Sequence, residues 1–433
     1  MWSNLVVGIV ALFSLSGGGF ANSCRGVPPA RYPFKLAQGW TAQKVADSLT
    51  SPRGLVIDNS NRLLVVEKGV GISQHGLDVD GCVRSSRLLI SLPSLNHGIY
   101  FGIDGNSLYA SSATTVFKWT YDPKTGNVDG GPTIIVSGMS PDNHVTRTLI
   151  IPPHSPDLIV VSHGSTGNVD NASIDPEIAR ATVKVFNISN PPDGGFNFVK
   201  DGWRAGYGLR NEVGLAFDGN DMLWGVENSA DQLIRDVGGT STDIHNDNPA
   251  EELNFLGDVK KPNDAWYGYP ICFTVWQPEE SIANATSRSQ LDVGQQFVLA
   301  PNQTFDDNTC AQMSKPPRLT FQAHSAPLDA KFNTSGYTNL FVTFHGSWDR
   351  DPPTGYKLIA VPFKRDDADG GAYAPLAPAN SKTGYVDIFY PLDEGKCSAS
   401  SCTRPVGLVF NGAGELYMSS DTSSEVFKLI YSP

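Results

Sequence analysis

The sequence predicts an all-β protein that folds as a six-bladed β-propeller. One observation is local: in residues 210–230, two apolar runs flank the turn Asp218-Gly219-Asn220-Asp221, which is typical of a β-hairpin. The other is repetition, because similar hairpins occur at residues 52–68, 97–111, 144–163, 325–345 and 404–421. Short antiparallel strands that recur without a long helical pattern favour a propeller with one hairpin of each blade near the axis. The uneven spacing predicts long insertions between blades.

The N-terminal residues 1–21 are apolar and end in small residues, which predicts a signal peptide and a secreted protein. The segment carries no Lys or Arg before its apolar core, so a membrane anchor is the rival interpretation, although that core is short for a membrane span. Residues 22–433 are then expected to form one propeller domain. No later stretch is long enough to span a bilayer, so we expect no membrane partner.

Six cysteines follow the predicted signal peptide, and an even number in a secreted chain predicts three disulfides. Fifteen pairings are possible. Proximity in the sequence favours Cys24–Cys82, Cys272–Cys310 and Cys397–Cys402. Five Asn-x-Ser/Thr sequences are candidate glycosylation sites, at Asn171, Asn187, Asn284, Asn302 and Asn333.

Between the hairpins, the sequence predicts outer strands and insertions. An entry segment runs from Cys24 to about residue 50, with β structure starting near Trp40, and residues 181–187 are typical of an outer strand. Residues 236–256 are expected to form a charged loop near the mouth of the propeller. Residues 266–270 form an aromatic loop that we expect to pack, and residues 273–322 are expected to be an exposed insertion.

A polar residue lies at or just before the start of the first strand of each hairpin, at Arg53, His97, His144, Arg210, His324 and Arg404. Strand one of a hairpin starts at the edge where strand two ends, so these residues should share one rim. Each alone is an ordinary turn residue, but six cationic or imidazole groups in a chain of net charge −12 indicate a pocket for an anionic ligand. The acidic balance argues against nucleic acid as a partner.

The segment His345-Gly346-Ser347-Trp348-Asp349-Arg350 is the most distinctive in the chain, since Trp348 and Arg350 together can stack on and pair with a flat anion. With Gly355-Tyr356-Lys357, Gly208-Leu209-Arg210-Asn211, Asp142-Asn143-His144 and Thr403-Arg404-Pro405-Val406-Gly407, it resembles the glucose/sorbosone dehydrogenase family of six-bladed propellers. Within that family the chain looks most like the secreted fungal pyranose dehydrogenases of auxiliary activity family 12. The resemblance covers essentially the whole chain after residue 21.

That resemblance implies two cofactors, pyrroloquinoline quinone (PQQ) and Ca²⁺. It implies His144 as the base that takes a proton from a sugar hydroxyl, and Arg210 as the group that polarises the quinone carbonyl. It implies Ca²⁺ bound to the backbone carbonyls of Ser229 and Ala230. The remaining candidates for cofactor contacts are Asn211 beside the adjacent carbonyl, Arg350 and Arg404 as carboxylate clamps, Trp348 as a stacking wall, and Arg53 and His345 at the rim.

The implied reaction is oxidation of a pyranose or related sugar by hydride transfer to PQQ. The electrons would then pass to an external acceptor, a cytochrome b domain or a lytic polysaccharide monooxygenase, because the sequence has no Cys-x-x-Cys-His haem motif. We expect a monomer. Two alternatives remain open: a calcium-dependent propeller lactonase or esterase, which holds its metal with several Asp, Asn or Glu side chains, and a non-enzymatic extracellular recognition propeller.

Overall fold

The structure is a computed structural model that describes residues 22–279, 282–283, 290–367 and 370–432. Its strands form six sheets of at least four strands each, together with two small two-stranded sheets. The innermost strands of the six sheets contact one another in ring order. The prediction of a six-bladed β-propeller is therefore confirmed. The predicted signal peptide and the sequence at Asn284 lie outside the described residues.

The strands follow the blades in chain order. Three of them precede the first blade: β1 (Asn22–Ser23), β2 (Phe34–Leu36) and β3 (Trp40–Ala46). Blade 1 consists of β4 (Pro52–Ile57), β5 (Arg62–Glu67), β6 (Gly71–Leu77) and β7 (Val83–Ser91), and blade 2 begins with β8 (Leu95–Phe101), β9 (Ser107–Ser112), β10 (Val116–Asp122) and β11 (Asn127–Ser137). Blade 3 consists of β12 (Leu149–Ile150), β13 (Leu158–His163), β14 (Thr182–Asn187) and β16 (Trp203–Tyr207). Between β14 and β16 the chain forms β15 (Phe196–Asn197), which lies at the edge of blade 2.

The second half of the chain carries the insertions. Blade 4 begins with β17 (Glu212–Phe217), β18 (Met222–Glu227) and β21 (Glu251–Asp258). Between β18 and β21, the chain forms a two-stranded ribbon of β19 (Ile234–Val237) and β20 (Thr240–Asp243). A second ribbon, β22 (Cys272–Thr274) and β23 (Gln296–Val298), and the helix α1 (Asp307–Met313) precede its last strand, β24 (Leu319–Phe321). Blade 5 consists of β25 (Pro327–Phe332), β26 (Asn339–Phe344), β27 (Lys357–Asp366) and β29 (Val386–Pro391), with β28 (Ala372–Pro375) paired to β27, and blade 6 ends the chain with β30 (Pro405–Phe410), β31 (Leu416–Ser420) and β32 (Glu425–Tyr431).

All six hairpins that the sequence predicts are the two innermost strands of a blade. The prediction for residues 236–256 is wrong, because this segment contains strand β20 and the first part of β21 rather than one long loop. The aromatic residues Trp266, Tyr267 and Tyr269 are buried, as expected for packing. Among the described residues, no helix is long and apolar enough to cross a membrane.

The core consists of the interfaces between neighbouring blades. Alternate residues of a strand point to opposite faces of its sheet. In β5, Leu63 and Val65 therefore pack against blade 6, whereas Leu64 and Val66 pack against blade 2. A strand buried on both faces has a continuous apolar sequence, which explains why the hairpins stand out as apolar runs.

The two ends of the chain close the ring. Strand β3 pairs with β32 in blade 6, and β2 pairs with β29 in blade 5. The buried ammonium of Lys44 lies 2.7 Å from the Glu425 carboxylate across the β3–β32 pair. The disulfides are Cys24–Cys82, Cys272–Cys310 and Cys397–Cys402, which confirms the predicted pairing.

Around the axis, the innermost strands approach too closely for side chains at some positions. A Cβ on Gly54 would collide with the carbonyl of His97, and one on Gly407 with the carbonyl of Arg53. Hydroxyl groups join the blades at the same level, since Ser419 Oγ donates a 2.6 Å hydrogen bond to the Arg53 carbonyl. These contacts hold β4 close to β8 on one side and to β30 and β31 on the other.

Candidate active site

A cavity of about 210 Å³ lies at one end of the propeller, where the ends of several innermost hairpins meet. Arg210 and Asn211 precede β17, Asn228 and Ser229 follow β18, and Arg404 precedes β30. The start and the end of a hairpin therefore do share one rim. The cavity is lined by His144, Arg210, Asn211, Asn228, Ser229, Asp231, Glu251, His324, Ala326, His345, Gly346, Trp348 and Arg404.

His144 has one ring nitrogen fixed by the protein. Its Nδ1 lies 3.0 Å from the carbonyl oxygen of Ser165 and 2.9 Å from the Ser165 hydroxyl. The carbonyl can only accept a hydrogen bond, so Nδ1 carries the hydrogen and Nε2 of the neutral ring has a lone pair. Burial, reinforced by the charge of Arg210, lowers the pKa of His144 to about 4. The ring is therefore neutral at neutral pH and can accept a proton at Nε2.

Arg210 is held by protein acceptors on all of its nitrogens. Its Nε donates to the Asn168 carbonyl at 3.0 Å, and its Nη2 donates to Asn168 Oδ1 at 2.7 Å and to Asp231 at 3.1 Å. Its Nη1 donates to the backbone carbonyls of Asn228 and Ser229. A guanidinium has five N–H groups, so a ligand contact at Arg210 requires one of these bonds to be exchanged.

Arg404 retains donors for a ligand. Its Nε donates to the His345 carbonyl at 2.8 Å and its Nη2 to the Gly346 carbonyl at 3.1 Å. The guanidinium carbon also lies 5.7 Å from the ring centre of Tyr356. Within the part of the chain that the structure describes, Nη1 has no hydrogen-bond partner. These contacts hold the guanidinium on the cavity wall with N–H groups left over for an anion.

The predicted calcium ligands lie at the end of β18. The backbone N–H of Ser229 donates to Glu251 at 2.6 Å, while its carbonyl accepts from Arg210. Burial raises the pKa of Glu251 to about 7. Ala230 is buried next to this strand end. Two backbone carbonyls in this position fit the oxygen preference of Ca²⁺, provided that a ligand and water supply the remaining oxygens.

A second group of metal-ligand types lies beside this strand end. One ligand atom each from Asp231, His324 and Asp349 lie within 4.8 Å of one another. However, His324 Nδ1 is 3.3 Å from Asp231 and its Nε2 contacts the carbonyl oxygen of His245. Although burial alone would lower it, the pKa of His324 is raised by the hydrogen bond to Asp231 and the charge of Glu251. We therefore interpret His324 as a cation whose two nitrogens are both donors, rather than as a metal ligand.

The structure places three of the predicted site residues away from the cavity wall: Arg53, Arg350 and Ala230, which is buried. Arg53 is buried, with Nη1 2.7 Å from Asp421 and Nη2 3.2 Å from Nδ1 of His97. Arg350 donates to Asp247 at 2.6 Å and does not line the cavity. Of the six residues predicted at or just before a first strand, four line the cavity, whereas Arg53 and His97 lie within β4 and β8 and contact each other. Trp348 lies at the rim with 67% of its surface exposed.

The sequence did not single out Asn168 and Asp231, which together accept three hydrogen bonds from Arg210. Asn168 comes from the connection between β13 and β14, and nothing in its local sequence marks it. Asp231 directly follows the predicted calcium ligands, so its position offered a signal. Glu251 lies in residues 236–256, which the sequence predicts as a charged loop near the mouth, whereas it is a buried residue of β21 that accepts from the backbone N–H groups of Ser229 and Ala326.

Comparisons with known proteins agree with this architecture. The family model described as TrAA12-like matches residues 34–432. The chain is 40% identical over 411 residues to a pyrroloquinoline quinone-dependent pyranose dehydrogenase of Coprinopsis cinerea, a match that covers 94% of this chain and 56% of that protein. It is 37% identical over 416 residues to a pyrroloquinoline quinone-dependent sugar dehydrogenase of Hypocrea jecorina, covering 92% and 90% of the two chains. The chain thus spans little more than half of the length of the Coprinopsis relative.

Solved structures match over nearly the whole chain. The holo form of the pyranose dehydrogenase PQQ domain from Coprinopsis cinerea has a TM-score of 0.90 at 39% identity, covering 94% of this chain and 99% of that one. The calcium structure of a Trichoderma reesei carbohydrate-active enzyme of family AA12 has a TM-score of 0.85 at 36% identity, covering 95% and 100%.

Proposed function

The chain belongs to the TrAA12-like family, and from that premise we propose that it is a PQQ-dependent dehydrogenase that oxidises a pyranose or a related sugar. Two relatives of this chain carry names of that kind. The observation that carries the proposal is a cavity lined by Arg210, Arg404 and His144, whose Nε2 has no hydrogen-bond partner among the described residues. A base and fixed cations in one cavity are what an alcohol oxidation with an anionic cofactor requires.

The residues of the cavity fit a planar tricarboxylate quinone. Arg404 has N–H groups without a partner among the described residues, His324 adds a cation to the two arginines, and Asn211 adds a neutral polar group at the wall. Ca²⁺ would be held by the carbonyls of Ser229 and Ala230, with Arg210 releasing the Ser229 carbonyl. When bound, PQQ would supply the two-electron acceptance that the oxidation of an alcohol needs.

The protein's own contribution to the reaction is proton transfer and orientation. His144 takes the proton of the sugar hydroxyl at Nε2, because Nδ1–H is held by the Ser165 carbonyl and cannot turn away. A positioned base of this kind contributes about 10²–10⁴-fold to a rate. Trp348 offers an exposed aromatic face at the rim, where a pyranose ring or an acceptor protein arrives.

The electron acceptor that we propose is a separate extracellular protein, either a cytochrome b domain or a lytic polysaccharide monooxygenase. Three disulfides are typical of proteins that fold in an oxidising compartment, which supports secretion. We further propose that the chain acts as a monomer and that described sequons such as Asn171, which is exposed, carry glycans. Stopped-flow reoxidation of the sugar-reduced protein by each acceptor, compared with oxygen, tests the partnership. Faster reoxidation by oxygen than by either protein would contradict it.

The proposed activity is tested by adding PQQ and Ca²⁺ to cofactor-free protein and measuring sugar-dependent reduction of a ferricenium dye. We expect reduction only when both are present, and we expect His144→Gln to bind PQQ but to reduce the dye at least 100-fold more slowly. Turnover of a lactone without PQQ would instead support the hydrolase alternative. Failure to bind PQQ at all would reject the dehydrogenase and favour a recognition domain.

A further inference from the structure

A second histidine of the cavity, His345, also has one ring nitrogen fixed by a protein oxygen, although it is Nε2 here and Nδ1 in His144. Nε2 of His345 lies 2.9 and 3.1 Å from the two carboxylate oxygens of Asp421. A carboxylate only accepts, so Nε2 carries a hydrogen in either protonation state of the ring. Among the described residues, Nδ1 of His345 has no hydrogen-bond partner, and the ring lines the cavity. In the neutral ring, Nδ1 therefore has a lone pair that can accept a proton.

Asp421 is itself held by Arg53. Arg53 Nη1 donates to Asp421 Oδ2 at 2.7 Å, and Arg53 Nη2 lies 3.2 Å from Nδ1 of His97. Arg53 is 8% exposed, and the Asp421 side chain 12%, so solvent screens this pair little. The carboxylate therefore keeps its charge and its position, and it orients the His345 ring toward the cavity.

The charged and titratable groups that act on His345 are Asp421, Arg404, Arg53 and, more deeply, His97. Burial, helped by the two guanidiniums, outweighs the attraction of Asp421 and lowers the pKa of His345 below its ordinary value. His345 is therefore neutral at neutral pH. The cavity then contains two neutral imidazoles, each with one nitrogen held by a protein oxygen and the other without a hydrogen-bond partner in the described part of the chain.

We propose that His345 is a second base of the active site, oriented by Asp421, and that it takes the proton released when the reduced cofactor gives its electrons to a one-electron acceptor. This rests on the proposed dehydrogenase function. In that function, His144 takes the hydroxyl proton of the sugar and the hydrogen on carbon passes as a hydride to PQQ. On reoxidation, two electrons go to two molecules of acceptor and that hydrogen leaves as a proton to Nδ1 of His345. One sugar thus yields two electrons and two protons, with one proton on each histidine. Asp421 is a positioning residue.

The first test needs neither cofactor nor turnover. ¹⁵N NMR of cofactor-free protein labelled at histidine reports the tautomer of each ring as a function of pH, with His345→Gln used for assignment. We expect His345 at pH 7 to be neutral with its hydrogen on Nε2, and Asp421→Asn to move that hydrogen to Nδ1, because the amide can donate to Nε2. A doubly protonated ring at pH 7, or a neutral ring with its hydrogen on Nδ1, would overturn the proposal.

The second test separates the two histidines by half-reaction in a stopped-flow instrument. In His345→Gln, we expect reoxidation of the loaded protein by a ferricenium salt to slow about 100-fold, which is the effect of a lost base. The slowing of reoxidation should be at least ten-fold larger than the slowing of reduction by sugar. In His144→Gln the larger effect should fall on reduction by sugar. The wild-type reoxidation rate should decrease as the pH falls through the pKa of His345, and His345→Gln should lose that dependence.

The matched control is His154→Gln, since Nδ1 of His154 also pairs with a carboxylate, Asp221, at 2.9 Å, but its side chain is 73% exposed and lies outside the cavity. It should change neither half-reaction. Equal slowing of both half-reactions in His345→Gln, or an unchanged reoxidation rate, would refute the second base. If wild-type protein is not reduced by any sugar, the proposed function fails first, and the NMR result still decides the tautomer.

Discussion

The strongest prediction about stability concerns a layer of buried carboxyl groups directly beneath the active site. In blade 4, Glu212 lies opposite Glu227, and Glu227 lies opposite Glu252, so all three side chains share one face of the sheet. They receive few hydrogen bonds: the backbone N–H of Arg210 donates to Glu227 Oε1 at 2.6 Å, Asn254 Nδ2 contacts Glu212 and Glu227, and Thr274 donates to Glu252 Oε1 at 2.5 Å. In the described part of the chain, Oε2 of Glu252 and Oε1 of Glu212 have no hydrogen-bond partner.

The perturbation that we propose is Glu252→Gln. Burial raises the pKa of Glu252 from 4.5 to about 7, and a raised pKa stabilises the folded protein at low pH. That contribution is fully present below pH 4.5 and is lost as the pH rises through about 7, because the unfolded chain then ionises freely. The size of the shift corresponds to about 3 kcal/mol of stability lost by pH 8. A glutamine does not ionise, so the variant should not show this loss.

The assay is equilibrium urea unfolding of the cofactor-free protein at pH 5 and pH 8, followed by tryptophan fluorescence. We expect the free energy of unfolding of Glu252→Gln, relative to wild type, to be more favourable at pH 8 than at pH 5 by about 2–3 kcal/mol. Glu177→Gln is the control, since Glu177 is 78% exposed and its pair with Arg204 should give the same small difference at both pH values. An identical difference at pH 5 and pH 8 for Glu252→Gln would refute the raised pKa.

The other predictions concern ligands, pH and disulfides. Arg404→Ala should weaken PQQ binding about ten-fold or more, because it removes charge-assisted hydrogen bonds, and a fluorescence titration that finds unchanged affinity would exclude Arg404 from the site. If His144 is the base, kcat/KM should fall on the acid side with a midpoint near its pKa of about 4, whereas a midpoint near 6.5 would contradict the effect of burial and Arg210. Replacing both cysteines of Cys24–Cys82, which are 58 positions apart in the sequence, should cost about 4 kcal/mol, against about 2 kcal/mol for Cys397–Cys402, which are 5 positions apart. Equal losses of unfolding free energy would argue against a loop-entropy origin.

The blades could be predicted because their signals are local. Each innermost hairpin is a pair of strands buried on both faces, so its apolar runs and its turn are contiguous in the sequence. The same holds for the disulfides, since each pair is closer in the sequence than its alternatives. The rim location of Arg210, Ser229 and Arg404 followed from the same logic, because the two ends of a hairpin lie at one edge of the sheet.

The sequence by itself therefore determined the number of blades, the pairing of the cysteines and which end of the propeller carries the candidate site. Only the tertiary structure decided which polar residues face the cavity. Arg53 is the second residue of β4, whereas Arg210 lies two residues before β17, and Arg53 contacts Asp421 and His97 because neighbouring blades bring those groups to it. Similarly, Asn168 and Asp231 hold Arg210, and Asp421 orients His345. These partners are separated along the chain, and the hairpin pattern does not indicate which of them will meet. Charge and side-chain type are encoded locally, whereas burial and the choice of partner arise only when six separately formed sheets pack around one axis.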